Sequence, residues 1–259
     1  MVKAQLPQTT KTATPYLSND NWGMQQKIDG RRMLLSCGET VETFNRKGDH
    51  LDCPDSIIEY FSAFTTHWLF DGELLNDTYY IFDVLEIPTG DIRSWPLSRR
   101  YEMLSMLKDK FDGPVEVLPL YLENKEEIMQ DLLTVTAEGV VFKRLDAEYV
   151  GKKSNSQLKY KFVKQVDCVI LDRGVENKDN FLLGMYDGEK FIDVGKCSSL
   201  TGDGPQLDVG SVVQVDILYV TKGNRLYQPV KPMARTDKDP TECLIDQLEE
   251  YKTTKEVLV

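Results

Sequence analysis

The sequence predicts an α+β domain followed by a small all-β barrel. Up to about residue 163, short apolar-alternating runs are interleaved with three stretches of helical spacing. From Val166 onward only β-like runs remain, separated by Gly, Asp and Asn turns. Neither half carries an internal repeat or a low-complexity tract.

Taken in order, residues 1–20 are polar, contain Pro7 and Pro15, and read as an extended lead-in, after which Trp22 and Met24 open the alternating runs. Strands are predicted at Arg32–Leu35, Glu42–Asn45, Trp68–Leu75, Tyr79–Leu85, Val115–Leu118 and Gly139–Lys143. Helices are predicted at Asp55–Phe64, which begins on Asp-Ser, at Leu97–Leu107, apolar at 97, 101, 104 and 107, and at Lys125–Leu133. In the second half, strands are predicted at Asp167–Leu171, Phe181–Tyr186, Phe191–Gly195, Ser211–Val220 and Arg225–Val230. Five short strands in so few residues suit a barrel of the OB type. Leu244, Leu248 and Tyr251 stand at helical spacing and predict a short packed helix within 244–259, with a frayed end.

At 259 residues and 41% hydrophobic, the chain can bury a sizeable core. Lys and Arg number 31 against 42 Asp and Glu, a net charge of -11, which argues against coating nucleic acid or an anionic membrane with the whole surface. Any polyanion site must therefore be local. Five cysteines without a C-x-x-C pair disfavour a disulfide scaffold or zinc cluster and suggest a reducing compartment, and two histidines exclude a histidine-rich metal site. No apolar run approaches the roughly 18 residues of a membrane helix. No apolar segment follows a basic start. The expectation is a soluble, cytoplasmic protein without membrane contact.

Three segments pair ionisable residues at i and i+2: Lys27 and Asp29 in KIDGRR, Asp71 and Glu73 in FDGEL, and Lys159 and Lys161 in LKYK. In extended backbone each pair projects to one side, so three such segments could floor one cleft. A lysine two residues before Asp-Gly sits where the chain turns tightly and backbone approaches a ligand closely. Lysine is a nucleophile only when neutral, and nearby cations such as Lys159, Lys161 and bound Mg²⁺ would favour that state.

In order along the chain, KIDGRR, FNRKG (44–48), FDGEL (70–74), YYIFDVLEI (79–87), EGVVFKRLDAEY (138–149), QLKYK (157–161) and ARTDKD (234–239) resemble the nucleotidyltransferase motifs of ATP-dependent DNA ligases. The match spans about residues 15–246 and looks most like the compact two-domain ligases of viruses and bacteriophages. The resemblance implies an α+β adenylation domain of the ATP-grasp-like ligase type at 1–163, an OB-fold domain at 164–246 and a tail at 247–259. It also implies a cytoplasmic location in a prokaryotic or virus-infected cell, and a monomer acting on nicked duplex DNA with ATP and Mg²⁺, or Mn²⁺ in its place.

Residue by residue, the resemblance implies that Lys27 attacks the ATP α-phosphate and carries AMP. Arg32 and Arg46 would hold ribose or the DNA 5′-phosphate, a task suited to the planar guanidinium fork. Glu73 would meet ribose or a metal-bound water, and Glu138 would help place Mg²⁺. Phe82 would stack on adenine, or serve simply as core. Lys143 would reach the nucleotide, and Lys159 and Lys161 would neutralise the α-phosphate. Arg235 and Lys238 would orient the pyrophosphate or bind DNA. Asp71 and Asp83 are read as structural. Many family members have a glutamate two residues before the nucleophile that reads the adenine amino group; Gln25 stands there, and its amide offers either an acceptor or a donor. A second departure is the absence of the large helical DNA-binding domain of cellular ligases.

Residues 143–164 carry seven basic against two acidic side chains, and residues 222–238 carry five against Asp237 alone. Two such stripes would clamp a duplex mainly through its phosphates. The rival expectations are an RNA capping guanylyltransferase using GTP, an RNA ligase, and a nucleic-acid-binding module without turnover.

Overall fold

The computed structural model describes residues 3–135, 137–173, 180–198 and 207–252. The chain divides into two compact units. The first takes in the described residues up to Leu133 and from Ala137 to Tyr160, and the second Thr134, Val135 and the described residues from Lys161 onward.

The first unit is built on β1 (Leu6–Thr9), α1 (Thr14–Leu17), β2 (Trp22–Lys27), β3 (Arg31–Cys37), β4 (Glu42–Phe44), α2 (Asp55–Ser62), β5 (Trp68–Leu75), β6 (Thr78–Ile87), β7 (Gly90–Asp91), α3 (Leu97–Ser105), β8 (Val115–Val117), α4 (Lys125–Thr134), β9 (Gly139–Arg144) and β10 (Lys153–Lys161). One sheet runs β1-β10-β9-β2, and the other runs β4-β3-β5-β6-β7 with β8 beside β6. Met33, Leu35, Phe70, Tyr79 and Ile81 lie in the core under α2, where Ile57 and Phe61 stand one helical turn apart. A second apolar cluster joins Leu34, Leu69 and Leu85 of the larger sheet to Ala4 and Tyr149. That sheet is thus buried on both faces, so MLL and VL read as continuous apolar runs rather than alternation.

The polar lead-in is more structured than its composition suggests. Residues 6–9 form an edge strand parallel to β10, and the register shifts between Pro7 and Gln8. An edge with a bulge is where a proline's missing N–H does no harm.

Gly30 immediately precedes β3, where the chain turns in beside β5. A side chain there would drive its Cβ into the Leu74 carbonyl oxygen, with the carbonyl carbon 3.0 Å away. The glycine of K-x-D-G is therefore required by close approach of two backbones.

The second unit is one antiparallel sheet, built from β11 (Lys164–Arg173), β12 (Asn180–Asp187), β13 (Lys190–Ser198), β14 (Val212–Ile217) and β15 (Val230–Ala234) in the order β13-β12-β11-β14-β15. The strand expected at Arg225–Val230 lies instead at 230–234. Gln228 has a φ of 52° and Pro229 has no N–H, so the ladder with β14 begins only at Val230, opposite Asp216, and Lys231, with a φ of 54°, lies where its register shifts. Leu226 instead bridges back to Val220. The C-terminal helix is a 3₁₀ segment, Ile245–Tyr251, that buries Leu248 among the sheet's apolar residues. The rest of the expected tail, 253–259, lies outside the described residues. Among the described residues no helix is long and apolar enough to cross a membrane.

Candidate nucleotide-binding cavity

Lys27 ends β2 and pairs in register with Gly139, which starts β9. This register places Glu138, buried at 4% exposure, beside the Lys27 side chain, and the two form a close ion pair. Among the described residues Lys27 otherwise reaches only the Ile28 carbonyl, 3.5 Å away. The pair stands at a cavity of about 560 Å³ within the first unit.

Eight of the twelve residues singled out from sequence line that cavity: Gln25, Lys27, Arg32, Arg46, Glu73, Phe82, Lys143 and Lys159. Glu138 joins them through Lys27. Lys161 is not among the walls; its Nζ donates to Gln228 Oε1 at 3.2 Å. Arg235 and Lys238 lie in the second unit, where both bind Asp167, at 3.1 and 2.5 Å. Asp71 and Asp83 are fully buried ion-pair partners, of Arg32 and Arg100 respectively.

Two buried polar atoms of the cavity walls, Gln25 Oε1 and Lys143 Nζ, have no hydrogen-bond partner among the described residues. Gln25 donates through Nε2 to the Leu118 carbonyl at 3.1 Å, and that oxygen also accepts from the Tyr101 hydroxyl at 3.0 Å. Turning the amide over would set two carbonyl oxygens against each other, so Oε1 is held as an unused acceptor. A buried polar group without a partner is costly, and a ligand that pairs it recovers that cost.

The charges are tuned by burial. Burial pushes the Lys143 ammonium down from 10.5 to about 8, with Arg32 and Arg100 adding to the effect against the pull of Asp83 and Asp71. Burial likewise raises the Glu73 carboxyl from 4.5 to about 7, although Arg32 and Lys27 oppose it. For Arg32, burial alone would lower the pKa, but Asp71 outweighs it and the guanidinium stays charged. Phe82 sits under two cations, with Arg32 Cζ 4.5 Å and Lys143 Nζ 4.2 Å from the ring centroid. Stacking of a base on Phe82 would have to compete with both.

Among the described residues no group of three or more His, Cys, Asp or Glu side chains is placed to hold a metal ion. Glu73 and Glu138 are two carboxylates close enough for one to raise the pKa of the other.

The stripe at 222–238 is less basic in space than along the chain. Arg225 pairs with Asp193, Lys231 with Asp216, and Arg235 and Lys238 with Asp167. Neighbouring strands supply acids that a local count does not see. Reasoning from sequence also missed Gln5 and Tyr149, which are buried behind Arg32. Their only trace there is the string DAEY after the EGVVFK segment, and a glutamine between Ala4 and Leu6.

No family model matches the sequence. The chain is 28% identical over 123 residues to DNA ligase 4 of Candida glabrata, covering 43% of this chain and 13% of that protein. It is 31% identical over 143 residues to a probable DNA ligase of Dictyoglomus turgidum, covering 49% of this chain and 24% of that protein. The chain thus spans a quarter or less of these relatives' length. In fold it is similar to the crystal structure of the ligase domain from M. tuberculosis LigD, with 17% identity, a TM-score of 0.59, and coverage of 94% of this chain and 98% of that one.

Proposed function

We propose that this chain, a relative of DNA ligases in sequence and in fold, is an ATP-dependent DNA ligase that seals nicks in duplex DNA through AMP bound to Lys27. One observation carries the reading: a lysine amine paired with a buried carboxylate stands in a cavity whose walls hold an unpaired acceptor, Gln25 Oε1, and an unpaired cation, Lys143 Nζ. An adenine amino group suits the first. Phosphate oxygens suit the second. Because its amide is locked, Gln25 favours a base with an amino group where guanine carries a carbonyl.

In the first step Lys27 Nζ bonds to the α-phosphorus of ATP as the bond to pyrophosphate breaks. The amine must first lose its proton, and Glu138 Oε2 is the carboxylate oxygen in contact with it. Lys143 and Lys159 offset the charge that builds on the phosphate. AMP then passes to the 5′-phosphate of the nick, and the 3′-hydroxyl displaces it. Mg²⁺ is ordinarily held by one or two carboxylates together with substrate phosphates, which Glu73 and Glu138 fit, and it supplies charge neutralisation when bound. The five-stranded second unit is read as the OB domain, with Arg235 and Lys238 reaching the pyrophosphate or DNA after exchanging Asp167 for phosphate.

Incubation with ATP and Mg²⁺ is expected to raise the protein mass by one AMP, and Lys27→Ala to abolish the gain. The labelled chain should then seal nicked duplex DNA. Labelling by GTP in place of ATP, or no labelling at all, would overturn the reading.

A further inference from the structure

Arg32 is held by a closed ring of hydrogen bonds that begins and ends on the backbone of Gln5. The Gln5 N–H donates to the Tyr149 hydroxyl at 2.8 Å, and that hydroxyl donates to Asp71 Oδ2 at 2.7 Å. Asp71 accepts from Arg32 Nε at 2.7 Å and from Nη2 at 2.6 Å. The second proton of Nη2 goes to the Gln5 carbonyl at 3.1 Å. The Gln5 side chain fixes this backbone, since Oε1 accepts from Val150 N at 3.0 Å and Nε2 donates to Ser156 Oγ at 2.9 Å. Gln5, Asp71 and Tyr149 are all buried.

Of the five N–H donors of Arg32, the ring uses those on Nε and Nη2. Nη1 carries no hydrogen bond among the described residues, and Arg32 lines the cavity. We propose that Gln5 and Tyr149 are positioning residues that aim Arg32 Nη1 at a phosphate oxygen in the cavity. The proposal rests on the functional reading above. The phosphate belongs either to the nucleotide or to the 5′ end of a nick, and both present the same oxygen chemistry to the fork.

The role is tested by a double-mutant cycle of Tyr149→Phe with Arg32→Lys, which keeps the charge facing Asp71 but removes the fork. Two rates are read, AMP transfer from ATP to the enzyme and sealing of a pre-adenylated nick. Tyr149→Phe is expected to slow one of them about tenfold through misplacement of the fork, and to slow that same rate less than twofold when Arg32 is already lysine. The step that slows identifies the phosphate. Gln5→Ala, which leaves the ring's backbone atoms in place but unpins them, should show the same loss of effect in the Arg32→Lys background and guards against misfolding of the first variant. Effects that multiply independently in both cycles would overturn the proposal while leaving the functional reading intact. A wild-type chain that takes up no AMP would overturn both.

Discussion

Replacing Lys143 by methionine should stabilise the protein and disable it at the same time. The Nζ atom is buried without a hydrogen-bond partner among the described residues, and burial depresses its pKa from 10.5 to about 8. At about 1.4 kcal/mol per pH unit, holding this side chain charged at pH 7 costs on the order of 3 kcal/mol. The Phe82 ring, 4.2 Å away, returns part of that, so Lys143→Met, of similar length and without charge, is expected to gain about 2 kcal/mol. For a unit of this size, that raises the melting temperature by roughly 4–8 °C in calorimetry. The sign with pH is fixed. The native state sheds its proton near 8 and the unfolded chain near 10.5, so wild-type stability recovers between those values and the advantage of methionine should shrink across that window. In parallel, AMP uptake should fall at least tenfold, because the cation proposed to meet the nucleotide's phosphates is gone. A variant that melts no higher than wild type at pH 7, or whose gain is the same at pH 7 and pH 10, would refute the reasoning.

Two further outcomes follow from the same geometry. Glu73 binds its proton more tightly in the native state, at about 7 against 4.5, so its contribution to stability is present below about 4.5 and is lost as pH rises through 7. Chemical denaturation across that range should show this loss in the wild type and a flatter profile in Glu73→Gln. Gly30→Ala should cost about 1–3 kcal/mol in the same measurement, because its Cβ meets the Leu74 backbone rather than a side chain that can move.

The parts of the site that were legible in sequence are those set by local geometry. Lys27, Glu73 and Lys159, one from each of the three i and i+2 pairs, line the cavity, whereas their pair mates Asp29, Asp71 and Lys161 do not, so the period of extended backbone found the segments but not the full pairs. Trp68–Leu75 was readable to the residue because β5 pairs on both sides and has no proline to interrupt it. Features set by long-range pairing were not legible. The contact of Lys27 with Glu138 depends on the β2–β9 register, 111 residues apart. The acids that neutralise Arg225 and Lys231 come from other strands. Arg100 has nothing beside it in the sequence that sets it apart from Arg99, yet it is 1% exposed and grips Asp83 with two bonds of 2.9 Å. Burying a guanidinium is tolerable only with such a partner, and its partner sits 17 residues upstream on β6.

The ring behind Arg32 also bears on synthesis. Gln5 is translated well before its partners Tyr149 and Ser156, which lie 144 and 151 positions downstream. At the usual pace of about 5–20 residues per second, the arginine's seat stays open for roughly 7–30 s of translation. Slow codons or an early pause in that interval would lengthen the time for which Arg32 and Asp71 stand without Tyr149, while leaving the finished chain unchanged.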